Sequence, residues 1–189
     1  MKAILLAGGK GTRLRPLTSN MPKPIVPILN RPFLLYQLDL LRRVGSVDEV
    51  ILSLNYQPDQ IEELIDSLPN LGLKIRYLVE PQPMGTAGAI RFALEFLDDT
   101  VIIFNGDVLA ELDLKAVLQF HRTRGANATI VLKPVENPSA YGLVEVDQDA
   151  NVKRFIEKPG NQKLTCNTIN AGVYVIEPSI LHRIPKDTP

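Results

Sequence analysis

The residues with the most evident chemical potential stand near the amino terminus. In LLAGGKGTRLRPLTSNMPKP (5–24), Gly8, Gly9 and Gly11 are followed by Thr12 and Arg13, and Lys23 comes later between two prolines. Glycines let successive backbone N–H groups converge on an oxygen-rich ligand, and Lys10, Arg13, Arg15 and Lys23 can supply the charge that a triphosphate needs. The same residues also describe a mobile glycine loop with solvated cations. The Walker arrangement, GxxxxGK followed by Ser or Thr, is absent because the glycines read GGKGTR. A dinucleotide fingerprint fails too. It requires a helix to start at the loop, whereas Pro16 biases Arg15 away from helical angles and Pro22 and Pro24 keep the chain extended.

Other candidates are more scattered. Asp107 follows the apolar run TVIIFN, and an acid at the carboxyl end of a buried strand suits a magnesium ligand, since magnesium takes a few carboxylates plus phosphate oxygens and waters. An aspartate after Gly106 is also an ordinary turn former. Glu157 and Lys158 precede a proline and read equally as solvent-facing strand ends. His121 and His182 lie on or near helix surfaces with no evident chemistry. Cys166, the single cysteine, offers neither a disulfide nor a metal spacing, which fits a reducing compartment. No Ser–His–Asp or Cys–His arrangement is present.

These residues must be positioned by alternating elements. KAILLA (2–7), DEVILSL (48–54), LKIRYLV (73–79), TVIIFN (100–105) and ATIVLK (128–133) read as strands buried on both faces. Helical stripes lie between them: Leu34, Leu38 and Leu41 behind Pro32; Ile61, Leu64, Ile65 and Leu68 behind Pro58; Ile90, Ala93, Leu94 and Leu97 behind Thr86 as N-cap. From about residue 141 the texture changes to the closely spaced strands YGLVEV, VKRFIEK and INAGVYVIE. The expected fold is α/β, a Rossmann-like mixed, mostly parallel sheet flanked by helices.

Composition sets the outer bounds. A chain of 189 residues that is 45% apolar can bury one substantial core. Twenty-one basic residues balance twenty-one acidic ones without a block of either sign, so neither nucleic acid nor a membrane surface is an expected partner. No run approaches the roughly 20 apolar residues of a membrane span. The expectation is a soluble, cytoplasmic protein.

Together, GGKGTRLRPLT with PKP, EPQPMGTAGAI (80–90), FNGDVL (104–109), YGLVEVD (141–147), RFIEKP (154–159) and NTINAGVYVIEPSIL (167–181) resemble the ordered motifs of the sugar-phosphate nucleotidylyltransferases. GTAGAI and INAGVY are most similar to the mannose-1-phosphate guanylyltransferase branch. The resemblance implies attack by a sugar 1-phosphate on the α-phosphorus of a nucleoside triphosphate, with pyrophosphate leaving, in the presence of Mg2+. It implies GTP and mannose 1-phosphate as substrates, with glucose-1-phosphate thymidylyl or uridylyl transfer, heptose-1-phosphate guanylyl transfer and a non-catalytic nucleotide-sugar-sensing subunit as alternatives. A homo-oligomer stays open.

Residue by residue, the resemblance implies catalytic roles for Arg13, Lys23 and Asp107, the last as the metal ligand. The nucleotide would meet Leu6, Ala7, Gly8, Gly9, Gly11, Thr12, Arg13, Lys23, Glu80, Pro83, Gly85, Thr86 and Ala87. A carboxylate at Glu80 could accept both donors of a guanine edge, or be salt-bridged at a strand end. The sugar phosphate would meet Asn105, Gly106, Gly142, Glu157, Lys158, Asn170 and Gly172. Residues 1–135 would form the nucleotide-binding half and 136–189 the sugar-phosphate half of one nucleotidyltransferase domain. Members of the family continue further and supply a second metal-binding aspartate, so the chain is expected to be truncated at its carboxyl end; Asp187 is the only late candidate.

Overall fold

All five predicted apolar runs form strands. The computed structural model describes residues 1–138, 141–156 and 166–185. Its first seven strands are β1 (Lys2–Leu6), the short pair β2 (Pro27–Ile28) and β3 (Arg31–Pro32), β4 (Glu49–Leu54), β5 (Lys74–Val79), β6 (Val101–Asn105) and β7 (Ala128–Pro134). β8 (Leu143–Val146), β9 (Val152–Ile156) and β10 (Thr168–Ile176) follow. The chain divides into two compact units, one of residues 1–129 with the chain from Tyr174 onward, the other of Ile130–Val173.

In the first unit the strand order is β5-β4-β1-β6, and each neighbouring pair is parallel. Parallel strands need crossovers, which α1 (Phe33–Arg42), α2 (Pro58–Asp66) and α3 (Gly85–Phe92) supply. The register aligns Ile51, Ile4 and Ile103 on one face, where they join Leu78, Ile90, Leu94 and Leu181 in one apolar cluster. One residue along, Leu52, Leu5 and Phe104 occupy the opposite face, fully buried. Each such side chain contributes about 1.5–3 kcal/mol, and this two-sided burial explains the uninterrupted apolar sequences of β1, β4 and β6; β5, at the edge of the sheet, and β7 are only partly buried, contrary to the expectation of burial on both faces.

Several local expectations need correction. Thr86 does not cap α3: Met84 stands at the N-cap, and Thr86 lies inside the first turn because the backbone already turns at Gly85 (φ 65°). Leu68 and Leu97 fall beyond the helices whose stripes they were expected to extend, Leu97 after a 3-10 turn over Ala93–Phe96. A further helix, α4 (Leu114–Thr123), begins where Asp113 Oδ1 accepts from the N–H groups of Lys115 and Ala116 at 3.0 and 3.1 Å. His121 on α4 is not a surface residue. It is buried, with Nδ1 2.8 Å from Thr129 Oγ1 and Nε2 3.0 Å from Glu177 Oε1, and Thr100 Oγ1 donates to the same carboxylate oxygen at 2.7 Å. These bonds tie α4 to the segment before α5 (Pro178–Leu181), after which His182 is exposed.

In the second unit β8 pairs antiparallel with both β9 and β10, and β10 also pairs with β7. The register of β8 and β9 shifts between Glu145 and Val146.

Candidate active site

Because β1, β4, β5 and β6 are parallel, their carboxyl ends share one edge of the sheet. That edge is where open α/β sheets hold ligands. The loops leaving β1, β5 and β6 line a cleft of about 420 Å3.

The loop after β1 is built from the backbone outward. Gly8 is confined, since a Cβ there would stand 3.1 Å from Asn55 Cβ and 3.3 Å from Glu80 Oε1. Gly11 adopts φ 61°, a region that other residues enter at a cost, and a Cβ would come within 2.9 Å of Lys23 Cβ. Thr18, buried, donates from Oγ1 to the Gly11 carbonyl at 2.8 Å and closes the loop. Gly9 differs from both. A Cβ there would meet nothing within 4 Å, so no packing within the described residues requires glycine.

Pro16, Pro22 and Pro24 do not leave the segment simply extended. Arg15 is extended (ψ 141°), as its proline neighbour demands, but single 3-10 turns form over Thr12–Leu14 and Lys23–Ile25. Pro24 suits the first turn of the second because its fixed φ matches and its missing N–H would be unbonded there. No α-helix follows the glycines, consistent with the exclusion of the dinucleotide motif.

Charge concentrates at the cleft mouth. Arg13 lines the cleft, is exposed and forms no ion pair with the described residues; Lys10 and Arg15 are likewise exposed and unpaired. Lys23 Nζ donates to Asp107 Oδ2 at 2.9 Å, so the two groups from distant sequence stretches already meet. Asp107 sits in a turn after β6 whose Gly106 N–H donates to the Leu6 carbonyl at 2.9 Å. A Cβ on Gly106 would lie 2.2 Å from that carbonyl oxygen. Glycine is needed here for the close approach of two strand ends.

Glu80, immediately after β5, is 7% exposed and forms no salt bridge within the described residues. Its Oε1 accepts from Ser53 Oγ at 2.7 Å and its Oε2 from the Met84 N–H at 3.0 Å. Asn55 Nδ2 donates to its backbone carbonyl at 3.2 Å. The carboxylate thereby fixes the start of α3, and each oxygen retains a second acceptor position.

The cleft gathers Leu6, Ala7, Gly8, Gly9, Gly11, Thr12, Arg13, Lys23, Glu80, Pro83, Gly85, Thr86 and Asp107. Ala87 is not in its lining, and Asn105 and Gly106, expected at the sugar phosphate, are. Leu14, Pro24, Met84 and Ala89 also line it, though nothing in their residue types singled them out. Gly142, Asn170 and Gly172 belong to the second unit, where Asn170 Oδ1 accepts from the Gly172 N–H at 2.8 Å and Gly172 has φ 72°. Glu157, Lys158 and Asp187 lie outside the described residues.

The nucleotidyl transferase family model matches residues 2–188. The chain belongs to that family. It is 43% identical over 190 residues to the probable mannose-1-phosphate guanylyltransferase 1 of Oryza sativa subsp. japonica, covering 97% of this chain and 52% of that protein. It is also 43% identical over 187 residues to the mannose-1-phosphate guanylyltransferase catalytic subunit beta of Drosophila pseudoobscura pseudoobscura, covering 97% and 50%. The crystal structure of HddC from Yersinia pseudotuberculosis complexed with GMP-PN superposes with a TM-score of 0.81 at 33% identity, covering 100% of this chain and 81% of that one. This nucleotidyl transferase chain thus spans about half the length of the curated relatives it matches. Among the described residues no helix is long and apolar enough to cross a membrane.

Proposed function

We propose that this protein transfers a guanylyl group from GTP to mannose 1-phosphate, forming GDP-mannose and pyrophosphate. The observation that carries the reading is the meeting, at one sheet edge, of a glycine loop, the exposed Arg13 and the Lys23–Asp107 pair. Two polyanions must be brought together, and such a site combines backbone donors, cations and one acid. The names of the curated relatives support the sugar and the base, and the GMP-PN complex of HddC supports guanine.

In the proposed reaction a phosphate oxygen of the sugar 1-phosphate forms a bond to the α-phosphorus while the bond to the bridging oxygen of pyrophosphate breaks. The attacking phosphate, with a second pKa of about 6, is already largely ionised at neutral pH, so no side-chain nucleophile or base is required. Gly9 leaves space for a phosphate against the backbone. Arg13 stabilises charge that builds on the α-phosphate and the leaving group, and Lys23 grips the triphosphate. Glu80 accepts from the N1–H and 2-amino groups of guanine with the acceptor capacity that Ser53 and Met84 leave.

No group of three or more His, Cys, Asp or Glu side chains forms a metal cage among the described residues. A half-exposed carboxylate beside a phosphate site nevertheless fits magnesium, which takes one or two carboxylates and completes its shell with phosphate oxygens and water. Asp107 would hold it. The ion would neutralise phosphate charge when bound. Asn170, Gly142, Gly172, Glu157 and Lys158 are proposed for the sugar phosphate on the family resemblance. The single cysteine is consistent with the cytoplasm, and the name "catalytic subunit beta" of one relative makes a subunit assembly the natural proposal for partners.

The experiment is a pyrophosphate-release assay crossing GTP, ATP, UTP and dTTP with mannose, glucose and heptose 1-phosphates. GTP with mannose 1-phosphate should be the fastest pair. Preference for UTP or dTTP would remove the guanine assignment, and release from no pair would remove the enzymatic one.

A further inference from the structure

Gln37 is a polar residue on the buried stripe of α1, in register with Leu34, Leu38 and Leu41, and is only 2% exposed. Its Nε2 donates to two backbone carbonyls, Asn105 O at 3.0 Å and Val108 O at 2.8 Å. Those carbonyls stand at the two ends of the turn Asn105–Gly106–Asp107–Val108, which is closed by the Val108 N–H donating to Asn105 O at 3.2 Å. The Gly106 N–H donates to Leu6 O, so the turn is fastened to β1 on one side and to α1 on the other. Asp107 is the residue held between these anchors.

The partners also set the orientation of the Gln37 amide, because a flipped group would press its oxygen against two carbonyl oxygens. Its Oε1 is buried without a partner among the described residues. Burying such an oxygen is unfavourable, and a leucine in this apolar stripe would avoid it. What glutamine provides that leucine cannot is two N–H groups on one nitrogen, matched to two carbonyls.

We infer that Gln37 is a positioning residue of the active site: it fixes the Asn105–Val108 turn, and through it sets where the Asp107 carboxylate stands when metal and triphosphate arrive. The inference rests on the assignment of Asp107 as metal ligand. It concerns a side chain that touches neither substrate nor metal and acts only through the backbone it holds. Groups that orient a metal ligand change metal affinity by about 10–100-fold when removed.

Gln37→Met keeps the volume and removes both donors, whereas Gln37→Glu, protonated between two carbonyls, keeps one. Three quantities are measured on each protein: amide hydrogen exchange at Gly106 to Val108 without ligand, Mn2+ binding in the presence of GTP by electron paramagnetic resonance, and pyrophosphate release. Gln37→Met should speed exchange at the turn at least tenfold, weaken Mn2+ by about tenfold or more, and lower kcat with little change in KM for GTP. Gln37→Glu should fall between it and the parent, and should move toward the Met variant as the pH rises and the glutamate ionises. Should Gln37→Met fail to fold, that pH-dependent loss in the Glu variant decides the matter. Exchange and Mn2+ affinity within twofold of the parent in either folded variant would overturn the inference. Asp107→Asn is the reference: unchanged Mn2+ binding there would refute the ligand assignment alone, while turn exchange still judges Gln37.

Discussion

Gly106→Ala places the most severe demand on the site that a single methyl can make. The added carbon would stand 2.2 Å from Leu6 O, 2.9 Å from Leu6 C and 3.1 Å from Ala7 Cα, all backbone atoms at the end of a strand held on both sides. No side chain can rotate away, so the turn must withdraw by about 0.8 Å to reach the 3.0 Å that real contacts keep. That movement lengthens the Gly106 N–H to Leu6 O bond, now 2.9 Å, toward breaking. Losing one backbone bond costs about 1 kcal/mol, and forcing extra volume into a packed site adds about 1–3 kcal/mol, which together predict a destabilisation of about 2–4 kcal/mol. Asp107 moves with the turn, and misplacement on the order of 1 Å costs up to about 100-fold in rate. Urea unfolding and steady-state pyrophosphate release measure the two effects on one preparation. A variant within about 0.5 kcal/mol of the parent, or one turning over at the parental rate, would refute the claim that strand closure sets the position of Asp107.

Other substitutions separate ligand approach from folding. Gly9→Ala meets no atom of the described residues within 4 Å, so stability should hold or rise by about 0.4–1 kcal/mol while the KM for GTP rises severalfold; unchanged KM would mean that no phosphate approaches this backbone. Arg13→Ala should leave the melting temperature unchanged, because the side chain has no ion pair with the described residues, and lower kcat by roughly 100-fold or more; an unaltered kcat returns it to the surface. For acid stability, hydrogen bonding to Arg31 holds the Asp39 carboxyl below its usual 3.8, so the stabilisation is present above that value and is lost as pH falls through the folded one. Asp39→Asn should therefore lower Tm at pH 7 and show a penalty that shrinks progressively as the pH is lowered below 3.8, and a penalty independent of pH across that range would contradict this origin.

The parallel sheet was legible in the sequence because two-sided burial leaves unbroken apolar runs, and the register confirms that Ile4, Leu5 and their neighbours serve both faces. The glycine loop and its cations were legible because glycine and proline act locally. What escaped was non-local. His121 looked like a surface residue on α4 until the fold brought Thr129 and Glu177 to its two nitrogens. Gln37 sits at an apolar-face position of α1, and only the return of the chain at Asn105 and Val108 shows why it is polar. Glu80 illustrates a middle case: its proximity to the cleft was readable, but its bonds to Ser53 and Met84 required β4 and α3 to be in place. Thr86 is not the cap because α3 starts two residues earlier, where Glu80 holds the Met84 N–H and the chain turns at the positive φ of Gly85.

The proposed guanylyl transfer at the cleft formed by the glycine loop, Arg13, Lys23 and Asp107 is checked by incubating the protein with GTP, mannose 1-phosphate and magnesium and identifying the products by mass spectrometry. GDP-mannose and pyrophosphate should form in equal amounts with the parent, and both should be nearly abolished by Arg13→Ala and Asp107→Asn. GTP bound without product, or product formed equally well by those variants, would contradict it.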